Sequence, residues 1–540
     1  MGRCLSLALL VLVPAVAEAT NGLKLTAYGP RAAGRGGVDY AYSDDAIGPA
    51  NNPAGMAFVY GNRFDQNFAL IIQNVSWSNS FGTFDNDTPL FFPVPAFSFG
   101  VFLDPEKDWE LKPVFDLGRW GLVEDEEDQP KPKPKVKGDG GKAQGPPSDD
   151  PLGDALEAPT ERELYGGRMR IGLGVFPLTG GKIKMAGLRT PFISQPVNWE
   201  TDVLSLVIAP SMAFRFNQYF SAGLTLQVRY TSFELDGGIA QPSSLLRDDF
   251  EFANSILNVN PQILTIADID DAKTDSEKNN GQWGFAFRLG VMFNSRYVSA
   301  GLVYQERTRS TDLLGRATVD ATDEVRNLTQ GNFSLLRIVD PSVNPALGFA
   351  SVYDLRIQGF EMPRQVGLGF AVRPHERVSI GFDYTFIQWS EVSKTFKARL
   401  SNGSNPNLDI ITSPSIAVRV PLNFRDQHVI AFGLSVLTAR GAEIVEGVPS
   451  FQLVLRTGYN YAKSATPPNT TLPQQPTIAE HHLSAGFTFH WGPLVELNFA
   501  WEWALPTSVN TGNHVGNFTL SNSKQELSLM FFHFGLGVNF

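Results

Sequence analysis

Four arginines offer the plainest chemistry in this sequence. Arg229, Arg288, Arg307 and Arg456 each fall on the polar side of an alternating segment. A guanidinium facing an apolar interior binds a carboxylate through paired hydrogen bonds, so any of them could hold the head of an anionic amphiphile. Each could equally be held by Asp383, Glu496 or Glu502, because buried charges are usually paired. Catalytic chemistry has fewer supports. The seven histidines are His375, His428, His481, His482, His490, His514 and His533, and no Gly-x-Ser-x-Gly elbow accompanies them. His375 sits at an expected turn and reads as a cap. No His and carboxylate cluster has the spacing of a metal site, and no cofactor is expected. The one cysteine is Cys4, inside the N-terminal apolar run. A chain that loses that run has no thiol for a nucleophile, a zinc site or a disulfide.

The elements that must position these groups follow from composition and period. Charged residues make up 18% of the 540, below the roughly 25% of soluble domains. The mean hydropathy of -0.10 is nonetheless too low for a bundle of membrane helices. Past the N-terminus no stretch reaches the 18 or so apolar residues of a spanning helix. A net charge of -11 argues against nucleic acid as a partner. At the N-terminus, Arg3, the apolar run 4–17 and the Ala17-Glu18-Ala19 site form a signal peptide over 1–19, with Thr20 as the mature start.

From Phe64 onward the chain repeats segments of about ten residues in strict alternation. Trp283, Phe285, Phe287, Leu289, Val291 and Phe293 oppose Gly284, Ala286, Arg288 and Gly290. A period of two sends alternate side chains to opposite faces of a sheet. A soluble sandwich would turn the apolar face inward; a transmembrane barrel turns it outward to lipid. Segment length, the small and polar second face, and an apolar-out last strand ending at Phe540 favour the barrel, because closure pairs every backbone group. The expected fold is all-β, a transmembrane antiparallel β-barrel spanning 58–540. Its fourteen strands lie near 62–77, 91–103, 166–178, 202–216, 219–234, 282–293, 297–309, 361–373, 376–391, 424–437, 451–463, 479–491, 494–505 and 526–540. An even count puts both ends on the periplasmic side and the long loops 235–281 and 310–360 outside. Parity places the insertion 104–165 in the periplasm. Its acidic run, Lys-Pro alternation and lack of aromatics over 123–151 suit a partly disordered loop, either a docking arm or a tolerated insertion.

Residues 20–57 precede the first strand and are rich in Gly and Ala. They read as a small hatch inside the lumen, with Leu23 and Leu25 as an apolar tip and Asn52-Pro53-Ala54 as a locked turn. The order of these features resembles the FadL-type family of outer-membrane transporters for long-chain fatty acids and other hydrophobic compounds. The glycine cluster at 34–37, the acidic Asp44-Asp45-Ala46 patch and Asn52-Pro53-Ala54 match its N-terminal hatch. Later pieces match in order: 210–214, 301–304, Met362-Pro363 before 366–369, Asp383-Tyr384 before 388–390, Arg425-Asp426 and 456–459. The 104–165 insertion departs from the pattern.

The resemblance implies a route. Ligand is caught between two long loops, passes to an apolar lumen pocket, is released by hatch movement, and leaves sideways at a kink in strand three. For capture the sequence offers Phe250, Phe252 and Leu257 in one loop and Phe333 and Leu336 in the other, which could alternatively pack together as a cap. For the kink it offers Gly172, Gly174 and Pro177, which could alternatively serve ordinary curvature. Arg229, Arg288 and Arg456 are the candidates for the ligand head. The expected partners are a hydrophobic small-molecule ligand, outer-membrane lipid and lipopolysaccharide around the wall, and the barrel assembly machinery reading the Phe540 strand. The expected location is the outer membrane of a Gram-negative bacterium. A general porin or, further off, a lipid hydrolase are the alternatives.

Overall fold

The structure is a computed structural model. It describes residues 21–539, except 43–44, 60–61, 87–97, 104–167, 190–195, 237–238, 241–264, 271–280, most of 321–339, 359, 412–414, 446–447 and 516–517. The signal peptide, the 104–165 insertion, Phe250, Phe252, Leu257, Phe333, Leu336 and Phe540 therefore lie outside the described residues.

The described strands close a ring. In chain order they are β1 (Arg63–Asn79), β2 (Ser98–Leu103), β3 (Met169–Leu188), β4 (Val197–Arg215), β5 (Phe220–Asp236), β6 (Gln282–Asn294), β7 (Val298–Gln305), β8 (Gln365–His375), β9 (Val378–Ile387), β10 (Gln427–Arg440), β11 (Phe451–Ala462), β12 (His481–Trp491), β13 (Val495–Asn510) and β14 (Lys524–Asn539). Each pairs antiparallel with the next, and β14 returns to β1 from Arg63↔Asn539 to Ser78↔Lys524. Fourteen wall strands were expected, and each expected segment overlaps one of them. Closure leaves no open edge, which is the condition for a sheet in hydrocarbon. No described helix is long and apolar enough to cross a membrane.

Alternation decides what each face meets. On β6, Phe285, Leu289 and Val291 are 59%, 44% and 46% exposed, while the intervening Arg288 and Met292 are buried. The same split gives Leu226, Phe370, Phe432, Leu455, Leu497 and Phe534 to the outside. An apolar belt around a polar, filled interior is the inverse of a soluble protein, and lipid is the solvent that accepts it.

Two features differ from the sequence reading. The third strand runs to Leu188 rather than stopping at 178. Its register with β4 shifts between Pro177 and Thr179, so Leu178 is an extra, bulged residue. The bulge flips the facing: Gly174, Phe176 and Leu178 are buried below it, Ile183 and Met185 above it. The long connections also form structure of their own. Ser415–Pro421, Thr395–Ser401, Ala350–Gln358, Leu313–Asp320, Thr265–Asp270 and Ile239–Ala240 build a second, six-stranded sheet. It joins the connections after β5, β7 and β9, so a third long loop, after β9, takes part beside the two that were expected.

Candidate ligand chamber and hatch

The described residues of 21–59 fill the lumen. Their backbone lies directly on the wall, and glycine makes that approach possible: a Cβ on Gly458 would collide with the Arg35–Gly36 backbone. At the far tip Gly22 has φ +70 and lies under Trp389, whose indole a Cβ would meet at 2.7 Å. Any larger residue there would be strained and displaced.

The hatch has a clamped body. Glu496 on β13 pairs with Arg31 of the hatch and, at 2.5 Å, with Arg63 on β1. Arg63 also holds Asp65, which accepts the Ala46 amide at 2.5 Å. Asp383 on β9 accepts the Asp39 and Tyr40 amides at 2.7 and 2.9 Å. Ser221, Ser299 and Asn460 reach the carbonyls of Ala54, Ala41 and Gly36. Breaking one member of such a buried charged network is costly because its partners stay buried. Asn52 closes the turn as expected: its Oδ1 accepts the Ala54 amide at 3.0 Å and its Nδ2 donates to the Tyr40 carbonyl at 2.7 Å. Pro53 and Ala54 open the short 3-10 helix Pro53–Phe58 that rests on β4, β5 and β6. Asn52→Ala is expected to remove a cap and strand a buried carbonyl, lowering stability by about 1–3 kcal/mol without preventing closure of the ring. Denaturant titration of the detergent-extracted barrel reads this, and an unchanged midpoint would contradict it.

The tip, residues 21–28, is held differently. Leu25 is buried and Leu23 packs beside it in an apolar cluster with Trp77, Phe176, Leu178, Trp199, Met362, Trp389, Phe424 and Phe531. The Tyr28 ring lies 5.1 Å from that of Phe176. A small pocket of about 20 Å³ runs along the tip between β1, β14 and the bulge, lined by Leu25, Ala27, Tyr28, Ile71, Pro177 and His533 among others. On the side away from β4, β3 pairs with β2 as far as Phe99↔Val175, and a single bridge joins Asn86 to Met185 beyond the bulge. Gly172 lies two residues below Gly174, whose Cβ position faces Pro49 of the hatch at 3.0 Å.

The arginines part company. Arg288 bonds Gln305 and, at 2.9 Å, the Asn51 carbonyl. Arg229 reaches Gln282 at 3.3 Å, Ser310 at 3.4 Å and the Phe360 carbonyl. Arg456 donates to Thr488 at 2.5 Å. None of these bonds goes to Asp383, Glu496 or Glu502, whose contacts are with the hatch, Arg63 and histidines. Arg307 lies beyond the end of β7 and not on its inward face, half-buried and paired with Glu361 and Glu391 at 3.4 and 3.2 Å. The sequence reading missed Lys24, whose Nζ donates to Gln365 at 2.9 Å. Gln365 donates to Gln305 at 2.8 Å, so two amides in series, Gln365 and Gln305, join Lys24 to Arg288. Burial, and secondarily Arg288, pulls the Lys24 ammonium down to about 7. No local pattern marks Lys24, because its partners lie more than 250 residues away. Among the described residues no three His, Cys, Asp or Glu side chains gather as a metal site would require.

A closed antiparallel barrel with an apolar outer belt and an internal hatch defines a plugged β-barrel of the outer membrane. The chain belongs to the outer membrane protein transport protein family (OMPP1/FadL/TodX), whose family model matches residues 188–528. It is thus a transport protein and not an enzyme. Among solved structures, the Pseudomonas putida toluene transporter TodX superposes with a TM-score of 0.60 at 16% identity, covering 97% of this chain and 100% of that one. The Ralstonia pickettii toluene transporter TbuX gives 0.58 at 15%, covering 96% and 99%. A Pseudomonas aeruginosa FadL homologue gives 0.54 at 14%, covering 98% and 100%. At such identities these likenesses speak for the fold. A comparison with curated proteins finds no match.

Proposed function

We propose that this barrel carries long-chain fatty acids or other hydrophobic small molecules inward across the outer membrane of a Gram-negative bacterium. The observation that carries the reading is the tip: Leu23 and Leu25 occupy an apolar chamber beside a bulged wall strand. Ligand caught at the end bearing the long loops displaces the tip, takes its place among Trp77, Trp199 and Trp389, and leaves sideways past Pro177. Displacement is reasonable energetically, because an apolar tip and an apolar ligand compete for the same burial. The route needs no continuous water path, and the hatch body argues against a general porin. Phe250, Phe252, Leu257, Phe333 and Leu336 remain proposed capture residues. Lipid and lipopolysaccharide are the proposed surroundings of the belt, and the assembly machinery the proposed reader of the last strand.

The test is uptake by cells or vesicles carrying the barrel, with radiolabelled oleate and toluene as probes and planar-bilayer conductance as the porin control. Saturable uptake of either probe without steady conductance supports the proposal; conductance without uptake overturns it. Lys24 and Arg288 make a further expected outcome measurable. A carboxylate head bound there loses attraction as pH rises through about 7, because Lys24 then sheds its proton. Oleate affinity should fall several-fold further than toluene affinity between about pH 6 and pH 8. Equal pH responses for both probes would remove Lys24 from the head-group site.

A further inference from the structure

We propose that Glu502 is the wall side of a latch for the hatch tip, with Thr26 as its moving side and His482 and His533 as the residues that position and tune the carboxylate. The proposal rests on the tip-displacement reading above and names what holds the tip when no ligand is bound.

Glu502 faces inward from β13 and is buried. Its Oε1 accepts the Thr26 hydroxyl at 2.5 Å. His482 Nδ1 on β12 lies 3.1 Å from Oε1, and His533 Nε2 on β14 lies 3.5 Å from Oε2. A carboxylate in such a place is costly unless it is paired. At the body of the hatch two arginines serve this purpose for Glu496, with His490 at 3.1 Å beside them. Here the sequence places two imidazoles instead, and an imidazole is the side chain whose charge changes between about pH 5 and 8.

Position separates this cluster from ordinary packing. Among the described residues the tip is joined to the wall by two side-chain hydrogen bonds, Thr26 to Glu502 and Lys24 to Gln365. The other polar clamps grip the body, from Arg31 onward. His533 also lines the small pocket beside Leu25, Ala27, Tyr28 and Pro177, so a ligand that takes the place of the tip there would meet the latch as well. Among the described residues, the register neighbours of Glu502 bring no other charge. The register sets Ser484 opposite it on β12 and Phe531 on β14. Next to His482 on β11 is Asn460, and next to His533 on β1 is Ala69. From the hatch come Thr26, then Lys24 turned to Gln365 and Tyr28 set against Phe176.

A hydroxyl bonded to a carboxylate makes a charge-assisted bond, about twice as strong as a neutral one. Any positive charge gained by the flanking imidazoles would compete for the Glu502 oxygens and weaken the bond that the Thr26 hydroxyl donates to them. Acid therefore loosens the tip, and neutral pH fastens it.

The experiment reads the tip without ligand. Leu25→Cys is introduced into the mature full-length barrel, which has no other thiol once the signal peptide is gone. Its labelling by a water-soluble maleimide is scaled at each pH to the same thiol in denatured chain. A Lys24→Gln background removes the other titrating group of the tip. Labelling is expected to rise about tenfold from about pH 7.5 to pH 5.5. Thr26→Val should label at the fast rate at both pH values, Thr26→Ser should behave as the parent, and Glu502→Gln should match Thr26→Val. A flat profile in the parent, or slow labelling of Thr26→Val, overturns the latch. If Glu502→Gln fails to assemble, the Thr26 pair alone decides, since neither variant leaves a charge unpaired. Uptake measured in parallel is a separate outcome: loss of pH-dependent labelling in a barrel that transports refutes the latch alone, and absent uptake with intact pH-dependent labelling refutes the transport reading alone.

Discussion

A cross-linker joining Tyr28→Cys to Phe176→Cys should abolish uptake of a hydrophobic probe, and reduction of a cleavable linker should restore it. A disulfide between Gly34→Cys and Ala500→Cys should leave uptake within about twofold of the parent. The contrast follows from how each part of the hatch is held. At the body, a Cβ on Gly34 would stand 3.6 Å from that of Ala500, inside the usual disulfide range of about 3.5–4.5 Å. A bond there adds a constraint where Arg31, Asp39 and Ala46 already fix the backbone through Glu496, Asp383 and Asp65. At the tip, Tyr28 meets Phe176 through a ring contact of 5.1 Å with no hydrogen bond between them. A moving element must have two states within a few kcal/mol, and only the tip is held weakly enough to supply them. Uptake by a fully tip-linked barrel would refute gating by the hatch. Loss of uptake in the body-linked barrel would show that the whole hatch moves, despite its clamps.

Much of this architecture was legible because a barrel wall writes its two solvents into alternate residues. β6 is the plainest instance, with Phe285, Leu289 and Val291 outward and Arg288 inward. Where legibility failed, the failure has a physical cause. The third strand was expected to end at 178, and that residue is the bulge itself. Beyond it Ile183 and Met185 continue the alternation in the opposite phase, so a scan that keeps one phase reads the end of a strand where there is only an insertion. The six-stranded loop sheet escaped for a different reason. Its strands, such as Leu313–Asp320 and Ala350–Gln358, are short and gain partners only when separate connections meet. The site was the least legible part. Facing told that Arg229, Arg288, Arg307 and Arg456 point inward; three of them are buried, and Arg307 lies past the end of its strand. Facing could not tell which carboxylate meets which cation, because that depends on how deep each hatch residue sits. Glu496 thus went to Arg31 and Arg63, and Glu502 to Thr26 and two histidines.

Deleting Leu178 should nearly abolish uptake while leaving a barrel that still closes. Pro177 pairs with Leu206 and Thr179 with Ser205, so Leu178 is the one residue of this stretch without its own partner on β4. Its removal joins two segments that are already in register with β4 and already face the correct way on either side. Gly172 and Gly174 would keep their places, and Ile183 and Met185 would still point inward. What disappears is the extra residue that bends the strand, since a bulge sharpens twist and breaks the ladder locally. A straight β3 would carry Pro177 and Phe176 past the pocket without the bend at which the sideways route is proposed to open. Loss of one buried leucine costs about 2–5 kcal/mol, which sets the stability penalty to expect alongside the loss of transport. Two measurements separate the effects. The heat-dependent gel shift of outer-membrane barrels should persist and report closure, and retained probe after detergent extraction should report binding. A closed barrel that binds the probe yet passes less than about a tenth of the parent flux places the exit at the bulge. Undiminished flux through a closed barrel lacking Leu178 would move the exit elsewhere, to the hatch or to another seam of the wall.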